Sequence, residues 1–444
     1  MTRLVAFAAN VGVLVGLTIP TASALAANRT VCFDIEIRDA RTRCPSPVSP
    51  ETGALRECNT RQSGSDSFGD IKGFIYELWD KDSGTGSNDD LINTYWLSGT
   101  GARCATFEWE AIAGGEANPD VYIVLKNAVR GSSGGEELQA RHGDGSTYTE
   151  TTWRDGESGL PDKYTAVDCT TGGNCNIDSL SVLLPTDTVT SQKSLMLMVL
   201  DSGQRALEAF DGSMNGGGTI TAEVDQDADF AVSCPTACAV DRTTIRVPTD
   251  TSTGALHGDR VTHELGHVFQ MREFGQDFLT NDCTRGTSPP VNNWSVASTE
   301  FNSCATTEGW ASYVAAASWY DSENAGTIPL YANTNLESAT MLGGASTCAT
   351  ADDFPGQAAK SFWDMDDVNN ESGVSPAAGQ DDGNDLSRDF LLNQWDDFPN
   401  GTANRDDGES DVDGVNLWDY RFNAPIGDEE TFIQHNCEQN QDTN

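Results

Sequence analysis

From residue 31 to about 127, apolar and polar side chains alternate in short runs at 31–37, 71–79, 92–97, 104–109 and 121–125, separated by clusters of Gly, Ser and Asp. A period of two is that of a half-buried strand, and strands punctuated by turn-forming residues predict a β-sandwich over 27–130. The glycine-rich stretch 131–135 then reads as a hinge. Beyond it, 179–184 and 195–200 are apolar enough for buried strands, and 204–210 fits a short helix. In 242–247, Thr243, Ile245 and Val247 alternate with Thr244 and Arg246, and Pro248 ends the run, which predicts another strand.

The period then changes. Val261, Leu265, Val268 and Phe269 recur at helical spacing, with Asp259 placed to cap a helix and Gly275 to close it, so a helix is expected over about 259–274. An Ala-rich run reaching about Tyr320 predicts a second helix that shares Phe301, Glu308, Ala311, Ser312 and Ala315 on one face. Aromatic and acidic residues at 361–367, 386–398 and 416–422 extend this helical half. The fold class is therefore expected to be α+β.

The first of these helices carries His263-Glu264-Leu265-Gly266-His267. Residues four apart lie on one helical face, so both imidazoles can reach one metal ion while Glu264 faces its open position. In a chain with five His, chance would produce this pattern only ~0.003 times. Two histidines are not enough for a catalytic zinc, which needs a third protein ligand and one position for water. The metzincin spacing is absent, because Gln270 and Glu273 stand where Gly and a third His would be. His142, His257 and His435 have no motif around them, so a carboxylate is the better candidate. Glu308 is the expected third ligand and Glu300 the alternative.

These residues resemble the gluzincin group of zincin metallopeptidases, in which a His-Glu-x-x-His helix is followed by a helix donating a Glu. The likeness covers roughly 241–320. It implies a zinc peptidase with His263, His267 and Glu308 as ligands and Glu264 as the general base that activates water against a peptide carbonyl. It also implies that a strand just upstream of the motif, 242–247, pairs with an extended substrate. Thermolysin-like enzymes often carry an Asp four residues after the ligand Glu, orienting a His, and Ser312 stands there in this chain. No motif identifies an oxyanion-stabilising group; Tyr320, Tyr420, Arg421 and His435 are the candidates. The resulting expectation is a sandwich at 27–130 followed by a zincin-type catalytic region at 131–444, with sheet and motif helix at 131–275 and the helical half at 276–444.

The first 26 residues have Arg3 before an apolar stretch over 4–19 and small residues at Ala24-Leu25-Ala26, the pattern of a cleaved export signal. That stretch is shorter than a spanning helix needs, so a secreted protein without a membrane span is expected. Twelve Cys, with no Cys-x-x-Cys, suit disulfides in an oxidising compartment. Local bridges Cys234–Cys238, Cys169–Cys175 and Cys44–Cys58 are expected, and Cys283–Cys304 would restrain the loop between the two ligand helices.

With 68 acidic against 26 basic residues, the net charge of −42 excludes nucleic-acid binding as a default. Such acidity suits high salt, plain solvation or structural calcium, the last at 80–90, 381–389 or 406–413. The third loop opens like an EF-hand at Glu409, Asp411, Asp413 and Gly414, but Tyr420 replaces its bidentate Glu. The expected partner is a polypeptide substrate, met by a monomer. Residues 73–82, with Asp89-Asp90-Leu91 and Asn118-Pro119-Asp120-Val121-Tyr122, resemble a transthyretin-like extracellular sandwich, which implies an accessory domain. An adhesion or binding protein on a degenerate zincin scaffold is the alternative function, and the intact Glu264 weighs against it.

Overall fold

The protein is seen here as a computed structural model. It describes residues 27–38, 69–70, 73–81, 89–97, 103–109, 118–131, 135–142, 167–168, 174–183, 192–210, 218–225, 237–248, 258–275, 295–298, 302–320, 322, 329–332, 334–336, 354–366 and 388–393.

Two sheets and a layer of helices make an α+β fold. The smaller sheet centres on β1 (Ala27–Arg38), flanked by β2 (Gly69–Asp70), β5 (Arg103–Trp109) and β9 (Asn174–Leu183). The larger sheet runs β11 (Cys238–Asp241), β12 (Thr244–Pro248), β10 (Gly218–Asp225), β7 (Glu136–His142), β6 (Asp120–Arg130), β3 (Phe74–Asp80) and β4 (Asp90–Trp96), with β8 (Val167–Asp168) also on β6. A short hairpin joins β13 (Leu330–Tyr331) and β14 (Thr334–Asn335). The helices are α1 (Gln192–Ala209), α2 (Gly258–Phe274), α3 (Asn302–Trp319), α4 (Pro355–Asp366) and α5 (Arg388–Asn393).

The strands expected from alternation at 31–37, 71–79, 92–97, 104–109 and 121–125 fall on β1, β3, β4, β5 and β6. The expected break at 131–135 is crossed by hydrogen bonding: Val129 pairs with Leu138 and Arg130 with Glu137, so β3, β4 and β6 lie in the same sheet as β7, β10 and β12. The strands before and after this stretch, β6 and β7, are antiparallel neighbours. The physical reason is register. Leu138 pairs with Ile220, Ala222 with both Ala140 and Ile245, and Val224 with Val247, giving one continuous apolar face from β7 to β12.

Helix α1 corrects a second expectation. Residues 195–200 are helical, not a strand: Met196, Val199, Leu200, Leu207 and Phe210 are fully or almost fully buried at helical spacing. A short apolar run fits either period, and packing decides here, because α1 lies across β6, β7 and β10 and against α2 and α3. Phe210 meets Phe269, Trp310 and Tyr313 with ring centroids 5.9–6.0 Å apart, locking α1 to the two helices of the motif region.

Two basic residues fix the ends of this layer. Arg272 of α2 donates to Arg242 O at 2.8 Å and Thr219 O at 3.3 Å, holding the helix to β10 and to the β11–β12 turn. Arg388 of α5 bonds Asp366 at 2.8 Å, Ala317 O at 3.1 Å and Ser322 Oγ at 2.9 Å, closing α5 onto α3 and α4.

Cys32 and Cys104 are register partners on β1 and β5 and form a disulfide absent from the expected pairings; cross-strand proximity, invisible in spacing, made the pair. Cys238 and Cys304 are also disulfide-bonded. Their expected partners Cys234 and Cys283 lie outside the described residues, as do Cys44, Cys58, Cys169, residues 1–26 and the acidic loops at 381–387 and 406–413. Among the described residues no helix is long and apolar enough to cross a membrane.

Candidate metal centre

Helix α2 opens at Gly258, which puts Asp259 in its first turn, where a carboxylate suits the positive helix end. It closes at Gly275, whose φ of 72° is the left-handed geometry a helix C-terminus favours. Between these ends, His263 and His267 turn one edge toward α3, with rings 4.9 Å apart and perpendicular.

Helix α3 comes unusually close. A Cβ on Gly266 would lie 2.8 Å from Ala311 Cα and 3.0 Å from Val314 Cβ, so the fourth position of the motif has no room for a side chain. Trp310 completes the junction by donating from Nε1 to Gly266 O at 3.1 Å. That approach brings Glu308 Oε2 to 3.1 Å from His263 Nε2 and 3.3 Å from His267 Nε2. Donor atoms set tetrahedrally about 2.0–2.1 Å from zinc stand about 3.3–3.4 Å apart; the His267 distance of 3.3 Å has that size and the His263 distance of 3.1 Å is slightly shorter. The three donor atoms lie within 4.8 Å of one another, and among the described residues this is the one such group able to hold a metal ion.

The electrostatics of the trio are mutual. Burial pushes the Glu308 carboxyl up, but the imidazoles of His267 and His263 together outweigh it and hold the group at about 2. Burial lowers His267, and the Glu308 and Glu264 carboxylates more than offset this, leaving its imidazole more basic than usual. Glu264 is buried one residue from His263, and its Oε2 accepts from Ala239 N at 2.9 Å, which ties it to β11.

Several expected positions are now placed. Glu300, His257, His435, Tyr420 and Arg421 lie outside the described residues, and His142 ends β7. Tyr320 follows the far end of α3, twelve residues beyond Glu308 and so about 18 Å along the helix, out of reach of the trio. Ser312 does not replace the missing Asp, since its hydroxyl donates to Glu308 O at 2.7 Å, one turn back on its own helix. The strand 242–247 becomes β12, which is flanked by β10 and β11 and has no open edge for a substrate; β11 is the terminal strand among the described residues. Sequence reading missed Tyr331 entirely. Its hydroxyl is 2.9 Å from His263 Nδ1 and its ring stacks on the imidazole at 5.4 Å and 7°. Burial pushes its pKa up, only partly opposed by Arg260, so the phenol stays protonated. At 80–90, Asp80 accepts from Asp120 N at 2.8 Å and Asp89 from Tyr122 at 2.7 Å, bonds that tie strand ends together.

Residues 233–395 match the family model of the mycolysin C-terminal domain. The match covers well under half of the chain and includes β11, β12, α2, α3, α4 and the whole trio. No curated protein and no solved structure matches the chain.

Proposed function

We propose that the protein is a secreted zinc metallopeptidase in which His263, His267 and Glu308 hold the metal and Glu264 is the general base. The observation that carries this reading is the meeting of both Nε2 atoms with one oxygen of Glu308, on a helix that places a carboxylate beside the first imidazole. The likeness of 233–395 to a peptidase domain supports the reaction class. The export pattern of the first 26 residues supports secretion.

Zinc in such a site supplies Lewis-acid polarisation of a carbonyl and brings the acidity of water near neutrality. Glu264 takes the proton from the attacking water and returns it to the leaving amine. One of its oxygens is anchored by Ala239 N–H, so the carboxylate is aimed before substrate arrives. Strand β11, the terminal strand of its sheet among the described residues, takes the place first given to 242–247 as the edge for an extended polypeptide. The bond from Ala239 N–H to Glu264 sets the strand against the base.

The test is direct. Purified protein should carry one zinc per chain and cleave an unfolded protein, and a chelator should stop cleavage until zinc is restored. Protein that stays metal-free when zinc is supplied would refute the assignment.

A further inference from the structure

The imidazole of His263 is 2 % exposed, as is Tyr331, so water does not reach the Nδ1 side of the ring. A histidine that ligates through Nε2 carries its proton on Nδ1, and a buried N–H with no acceptor costs about 1–3 kcal/mol. Of the residues one turn from the ligands, Ser312 has its hydroxyl on Glu308 O. The acceptor comes instead from 68 residues away.

We propose that Tyr331 is the positioning residue for His263: its phenol oxygen accepts the Nδ1 proton and thereby commits Nε2 to the metal. The inference rests on the zinc reading above. Its basis is geometric: an oxygen 2.9 Å from Nδ1, placed to accept once the metal on Nε2 leaves the ring proton on Nδ1, and two rings stacked within 7° of parallel, which hold the plane of the imidazole.

The backbone is arranged around this contact. Tyr331 pairs with Thr334 across the two-residue connection of the β13–β14 hairpin. Within that turn Ala332 has φ 46°, a left-handed conformation that side chains other than Gly and Asn rarely adopt. The strand pairing and the left-handed Ala332 hold the backbone on either side of the tyrosine.

The choice of a phenol has a chemical consequence. A carboxylate in this position would add a negative charge behind His263. Tyr331 supplies an acceptor without adding charge there.

Tyr331→Phe keeps the ring and its stack while removing the oxygen. Zinc-free wild type and variant, titrated against a competing chromophoric chelator, should differ about 10–100-fold in zinc Kd. Their metal-free melting should stay cooperative. Affinities within twofold of each other would overturn the role of Tyr331 while leaving the zinc site standing, whereas a wild type that binds no zinc would overturn both. A second measurement needs no variant: in zinc-loaded, nitrogen-15-labelled wild type, His263 should show a slowly exchanging proton on Nδ1. Zinc on Nδ1, or a rapidly exchanging proton there, would also sink the idea.

Discussion

Glu264 and His267 make opposite demands on the proton, and both are testable one residue at a time. Glu264→Gln keeps an oxygen able to accept from Ala239 N–H, so zinc content should be unchanged while turnover falls about 100-fold or more. Retained turnover would remove Glu264 as the base. In metal-free protein, Glu308 is depressed to about 2 from 4.5, so its stabilising effect is present above 4.5 and lost as pH falls toward 2. His267 is raised above 6.5, so its effect is present below 6.5 and lost as pH rises through the higher folded value. Chelator-treated protein should therefore gain most from this pair between 4.5 and 6.5, as read by melting temperature against pH. Added zinc must displace the His267 proton, so its affinity should fall about tenfold per unit as pH drops below that pKa. The pairing of His263 with His267 was legible because helical spacing fixes which side chains share a face. Tyr331 was not, because a hairpin distant in sequence carries no periodic signal of its contact.

At the level of elements, the α2–α3 junction decides whether the trio exists. Gly266→Ala would place a methyl 2.8 Å from Ala311 Cα, and neither helix backbone can yield without moving Glu308. The expected cost is about 1–3 kcal/mol of stability together with weaker zinc binding, seen by thermal melting and metal titration. A variant as stable and as zinc-competent as wild type would show that the close approach is dispensable. The two helices were readable from apolar periodicity, since each has a long pattern. Residues 195–200 were not, because a six-residue apolar run satisfies a strand and a buried helix equally, and the surface of β6, β7 and β10 selected the helix.

For the whole molecule, the informative fact is that β6 pairs with β7 across residue 131. A fragment of 131–444 would leave the β7 edge unpaired and α1 without its contact on β6, so it should fail to give a cooperative melt or bind zinc. A fragment that folds and takes up the metal would restore the division at 131. Turn-rich composition led to a boundary there, yet a glycine-rich link between neighbouring strands and one between domains look the same in sequence.

What the sequence by itself determined was local: the period of each long segment, the pairing of two imidazoles and a carboxylate on one helix, and the class of the fold. Such features depend on residues within a few positions of one another. Only the tertiary structure decided that β12 is interior, that Cys32 meets Cys104 and that Tyr331 stands behind His263. Each of these joins segments far apart along the chain, and their meeting is set by strand register and close packing, which no local pattern encodes.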